Sequence, residues 1–158
     1  MTPLYFASPA EWRGWLLENY ATCPELWVGF YKKGSGRASI TWPESVDQAL
    51  CFGWIDGVRK RVDEHRYVIR ITPRRTGSVW SAVNTRRVGE LEKEGLMHPA
   101  GLAAFGKKTA SKSGIYAYEQ KRKSAALGRA HEALFKAEPA TWDFFRSEPP
   151  WYQRTCSW

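Results

Sequence analysis

Between Ser8 and Asn19 the residues Trp12, Trp15, Leu16 and Asn19 recur at helical spacing, which predicts a helix with an aromatic face. Ser8 is suited to cap it, Pro9 to occupy its first position and Glu11 to complete a capping box. In LWVGFYKK the period falls to two. Leu26, Val28 and Phe30 alternate with Trp27, Gly29 and Tyr31, predicting a strand that ends at the turn-like GSGR. Thr41-Trp42-Pro43-Glu44 is a second capping box, and its helix carries Val46, Ala49 and Leu50 inward before stopping at Gly53. Two strands follow, WIDGVRKRV and RYVIRIT, joined near Asp63-Glu64-His65. In the second, Tyr67, Ile69 and Ile71 share one face while Val68, Arg70 and Thr72 share the other, so this hairpin has an apolar side and a partly basic side. The helical period returns from Trp80 to Glu94, ended by Gly95, and Pro99 starts a short helix through Phe105. The tail reads as short helices punctuated by Pro139 and the Pro149-Pro150 pair, with no internal repeat or heptad pattern.

This order predicts an α+β fold: a small antiparallel sheet with helices packed on it, plus a short helical C-terminal segment. Residues 1–106 form the expected core domain, 107–125 a basic connecting segment and 126–158 the helical C-terminal segment. A chain of 158 residues is long enough to bury a core without staples, and 43% hydrophobic with 25% charged residues excludes the disordered class. Of the nine tryptophans, most belong to the core and to capping positions, with a few available as platforms for a ligand or a base. The net charge of +8 is concentrated in two stretches. Residues 58–75 hold Arg59, Lys60, Arg61, Arg66, Arg70, Arg74 and Arg75 against Asp63 and Glu64, while seven basic groups in 107–129 face Glu119 alone. Such a balance suits an anionic small molecule, an acidic protein partner or nucleic acid, and equally a solvated surface that keeps the protein soluble. Cys23, Cys51 and Cys156 are odd in number and widely spaced, which argues against a disulfide framework and a zinc site. No metal or other cofactor is expected. MTPLYFASPAEW lacks the pattern of a signal peptide and no apolar run is long enough to span a membrane, so cytoplasm is the expected location. Oligomeric state is open.

Two stretches carry candidate chemistry. In CFGWIDG (51–57), Cys51 lies at a helix terminus and Asp56 early in a strand with Trp54 on the same side. A nucleophilic cysteine needs a neighbouring base or cation, and His65, His98 and His131 have no recognisable spacing to it. The reading that prevails makes Cys51 a buried apolar residue, Gly53 a cap and Asp56 a turn or ion-pair residue. No catalytic residue is assigned. In TPRRTGSVWSAVN (72–84), Arg74, Arg75 and Ser78 precede a predicted helix whose N-terminus suits an anion, with Arg70 adding charge. Asn84 falls on the apolar stripe with Trp80, Val88 and Leu91, as a ligand-binding amide or a structural clasp. Together these stretches predict one ligand-binding pocket, between the basic hairpin face and the third helix, lined by Trp54, Asp56, Arg70, Arg74, Arg75, Ser78, Trp80 and Asn84. Nucleic-acid binding through 58–75 and 107–129, where Tyr116 and Tyr118 interleave with basic residues, is the alternative.

LWVGFYKK, ITWPESVDQALCFGWIDG and ITPRRTGSVWSAVNTRRVGELEKEGLMHPAG, in this order across about residues 5–105, resemble the YdeI/OmpD-associated family, also called bacteriocin-protection proteins. AHEALFKAEPATWDFF is similar to the family's smaller C-terminal segment, which usually continues into a further basic helix, whereas this sequence ends at Trp158. The resemblance implies a small bacterial or archaeal α+β protein linked to envelope stress and to resistance against antimicrobial peptides or bacteriocins. It carries over no catalytic residue. A non-enzymatic stress or protection protein is therefore the functional expectation.

Overall fold

A computed structural model describes residues 2–109, 113 and 127–157. Four strands form one sheet: β1 (Leu4–Tyr5), β2 (Leu26–Tyr31), β3 (Trp54–Arg61) and β4 (Arg66–Pro73), in the order β1-β2-β4-β3. Helices α1 (Pro9–Asn19), α2 (Trp42–Cys51), α3 (Ala82–Lys93) and α4 (Pro99–Gly106) belong to the same unit, and α5 (Arg129–Ala137), α6 (Pro139–Ser147) and α7 (Pro150–Cys156) form the C-terminal segment. The architecture is α+β, with one departure from a purely antiparallel sheet. The two-residue β1, which has too few residues to show a period, pairs parallel to β2.

The expected caps are present, though the two boxes close differently. At α2 the Thr41 side chain accepts from Glu44 N and the Glu44 carboxylate accepts from Thr41 N at 2.7 Å, a complete box. At α1, Ser8 accepts from Glu11 N, but the Glu11 carboxylate reaches one residue further back to Ala7 N at 2.8 Å. Gly53 ends α2 in the left-handed region at φ +74°.

Register decides which side chains face the helices. Val28, Phe30, Ile69 and Ile71 point to them and are buried with Trp12, Leu16, Leu50, Trp54, Trp80, Val88 and Leu91 in a single cluster. Two buried indoles satisfy their N–H groups on backbone carbonyls, Trp12 on Ser45 at 3.0 Å and Trp54 on Tyr20 at 3.2 Å. The opposite face of the sheet carries Trp27, Gly29 and Tyr31 of β2 opposite Arg70, Val68 and Arg66 of β4. A β-bulge after Asp56 shifts the β3 register, so that Arg59 lies opposite Ile69 and Lys60 opposite Val68. Lys60 therefore joins the face away from the helices. Val68 shares the partly basic side with Arg70, as the alternation predicts, and is fully buried there. The Tyr5 ring lies against Gly29 beside it, and Lys60 reaches across it towards Trp27.

Candidate functional site

The eight residues expected to line one pocket are distributed over the core and two separate clefts. Trp54 and Trp80 are core residues, each 1% exposed, so neither lines a binding site. Their size and apolar area send them inside, where Trp54 meets Trp15 edge-on and Trp80 meets Phe105 edge-on. Asp56 and Ile55 are neighbours on a strand and so point to opposite faces, and each cleft takes one of them.

The first cleft, about 630 Å³, lies between the first turns of α2 and α3 and the start of β3. Asp56 and Asn84 line it with Trp42, Pro43, Val46 and Val83. The half-exposed Trp42 donates its indole N–H to Asp56 Oδ2 at 2.9 Å. Asn84 is the third residue of α3, where its backbone N–H donates to the capping Ser81 hydroxyl at 3.1 Å. At the far wall Arg87 grips Asp47 through two 2.9 Å bonds and also reaches Glu90 at 2.9 Å. These carboxylates hold its guanidinium well above its ordinary range, so it is a permanent cation already engaged by the protein. The roles of Trp42 and Arg87 lay outside the sequence reading, because nothing in their local pattern predicts which strand or helix they meet.

The second cleft, about 550 Å³, opens on the other side of the sheet and contains Arg70, Arg74, Arg75 and Ser78. Pro24, Glu25, Ile55, Thr72 and Pro73 complete it. Its positive charge does not lie at a helix N-terminus, as the sequence suggested. Ser78 sits in a turn closed by its own N–H to Arg75 O at 3.0 Å, and the cap of α3 is Ser81. The chain between them separates the arginines from that helix end, which opens on the first cleft instead.

The three arginines differ in what holds them. Arg74 stacks on the Trp80 ring at 3.6 Å and donates to Val79 O at 3.1 Å, so it braces the start of α3 as well as lining the cleft. Arg70 meets Glu25 at 3.5 Å, with both side chains more than two-fifths exposed, a loose pair of small energetic weight. Arg75 is exposed. Arg70 Nε and Ser78 Oγ are buried without a hydrogen-bond partner, and each such orphan costs about 1–3 kcal/mol until an acceptor or donor reaches it. A ligand with several acceptor oxygens meets that demand.

Cys51 offers little nucleophilic chemistry. It is fully buried, and burial pushes its thiol up while nearby Arg13 pulls it in the other direction. Most of the basic 107–125 segment, including Tyr116 and Tyr118, lies outside the described residues. No helix among the described residues is long and apolar enough to cross a membrane.

The sequence matches one family model, that of a domain of unknown function (DUF8412), over residues 4–104. That span runs from β1 into α4 and includes both clefts. No curated protein and no solved structure matches the chain.

Proposed function

The chain belongs to the DUF8412 family, a domain of unknown function, and from that premise we propose that it is a non-enzymatic binding protein that takes an anionic ligand in the Arg70–Ser78 cleft. The observation that carries this reading is the composition of the cleft wall. Three arginines and a serine hydroxyl meet there against one carboxylate, Glu25, and two of the polar atoms are buried without a partner. A phosphate, sulfate or carboxylate group supplies acceptors to the guanidinium donors and to the hydroxyl. It also competes readily with the loose Arg70–Glu25 pair. A cytoplasmic stress or protection role of the YdeI/OmpD-associated kind accompanies this reading. Its support is the motif resemblance in the stretches that build the two clefts.

The test uses inorganic pyrophosphate as the probe and thermal unfolding as the readout, since a ligand of the folded state raises Tm in proportion to its binding. Pyrophosphate is expected to raise Tm in the wild type. Replacing Arg75→Ala together with Arg70→Gln should weaken binding by about tenfold or more, from the loss of two charge-assisted interactions, with the ligand-free Tm little changed. Arg74→Ala is the unsuitable probe, because it also removes the stack on Trp80. A pyrophosphate shift that survives the double substitution overturns the proposal.

A further inference from the structure

The face of the sheet turned away from α1–α4 alternates aromatic and cationic side chains. On β2, Trp27 and Tyr31 flank Gly29; opposite them on β4 stand Arg70 and Arg66, flanking Val68. Tyr5 of β1 covers Gly29, and its ring stacks on Tyr31 with centroids 4.9 Å apart. The bulge in β3 delivers Lys60 to this face, where its Nζ lies 4.9 Å from the centroid of Trp27. Arg37 completes the far end, 5.4 Å above the Tyr31 ring. Trp27, Tyr31 and Tyr5 are each partly exposed, while Lys60 and Arg37 are exposed. The carboxylates nearby are Glu25 against Arg70 and Asp63 against Arg66, one at each end of β4.

We infer that this face is a docking surface for single-stranded nucleic acid, with bases stacking on Trp27 and on the Tyr5–Tyr31 pair and the phosphate backbone following Lys60, Arg70 and the second cleft. Three physical arguments converge. First, successive same-face residues on a strand stand about 6.7 Å apart, so Trp27 and Tyr31, with Gly29 between them, lie about 13 Å apart and present separate stacking sites along one line. Second, unpaired bases expose π-faces that a duplex hides, and an aromatic sheet face flanked by cations suits them. Third, Arg70 belongs to both the face and the cleft, so the cationic track continues into the arginine cluster beyond it. Cations interleaved with rings across one sheet face match a polyanion that carries a stackable ring on each repeat, as single-stranded nucleic acid does. This extends beyond the anion cleft, because the aromatic platform lies outside it.

The experiment is fluorescence anisotropy of an end-labelled ten-nucleotide oligothymidylate with the full-length protein at several salt concentrations. Binding is expected at low salt. Each phosphate contact contributes about 0.7 to the slope of log K against log salt for a single strand. Trp27→Leu with Tyr31→Leu should weaken binding about tenfold or more while leaving that slope in place, since stacking is worth about 1–3 kcal/mol per base. Lys60→Gln, which removes the exposed cation beside the Trp27 ring and leaves the ring itself in place, should reduce both the affinity and the slope. The pyrophosphate-induced rise in Tm should persist in all of these variants. Oligonucleotide affinity unchanged by the aromatic pair and by Lys60→Gln overturns the inference. So does equal affinity for a duplex of the same length, or binding to phosphatidylserine vesicles without binding to the oligonucleotide. Pyrophosphate binding without oligonucleotide binding overturns the platform and leaves the cleft standing. Oligonucleotide binding that needs Trp27, Tyr31 and Lys60 but not Arg75, with no pyrophosphate shift, upholds the platform and removes the cleft.

Discussion

Asp63 organises the tip of the β3–β4 hairpin with one carboxylate. Its Oδ1 accepts from the backbone N–H groups of His65 and Arg66, both at 2.8 Å, and its Oδ2 accepts from Arg66 Nε at 2.7 Å. The Arg66 guanidinium, followed by the His65 N–H, lowers this carboxyl from its ordinary 3.8 to about 2. Because the folded state holds the proton less tightly than the unfolded one, the interaction is fully present above the ordinary value. It is lost as pH falls through about 2. Carbon-detected NMR titration of the Asp63 carboxyl should place its midpoint near 2, and Arg66→Gln should move it back towards the ordinary range. A wild-type midpoint already at the ordinary value would contradict the geometry. The same scale separates Arg74 from Arg75. Adjacent in sequence and identical in chemistry, one is packed on a buried indole and the other faces solvent.

At the scale of elements, α4 packs closely against the end of α2. His98 donates its N–H to Cys51 O at 3.0 Å, and its ring stacks on Phe52 with centroids 4.8 Å apart. Gly101 then sits against the Cys51 and Leu50 carbonyls, where a Cβ would collide with backbone. Backbone cannot swing aside as a side chain does, so Gly101→Ala should lower stability by about 1–3 kcal/mol. Urea unfolding should show the loss as a lower midpoint, and Gly106→Ala, with open space at its Cβ, serves as the neutral control. An unchanged midpoint for Gly101→Ala would mean that the two helices do not meet this closely.

At the scale of the whole molecule, the apolar residues form one large cluster, and among the described residues its members and those packed on it all lie between Phe6 and Phe105. The C-terminal helices make their own aromatic group, in which Phe145 meets Phe135 edge-on and Trp142 stacked. Since no described residue beyond Phe105 belongs to the main cluster, a chain of residues 1–109 should fold alone. Its near-UV circular dichroism should retain the signal of packed tryptophans, and its thermal transition should remain cooperative. A featureless near-UV spectrum would show that the C-terminal segment is needed for the core.

Most elements were legible in the sequence, because their causes are local. The Thr41 box, the Pro9 and Pro99 starts, the Gly53 and Gly95 stops and the alternation in β2 and β4 each depend on a few adjacent residues. The candidate site was legible only as an inventory. Asp56, Asn84, Arg70, Arg74, Arg75 and Ser78 do line clefts, but periodicity carries no account of which sheet face a cleft uses. It also could not separate Trp54 and Trp80, which are buried, from Trp42, which is half-exposed. β1 was too short to show a period, and the bulge after Asp56 reverses the alternation that a regular strand would have continued. By itself, then, the sequence determined the α+β order, the caps and the basic bias of the hairpin, all set by short-range sterics and hydrogen bonding. Only the tertiary structure decided that Lys60 joins Trp27 and Tyr31, and that Asp56 and Arg70 serve opposite faces, because those outcomes depend on register between strands that are distant along the chain.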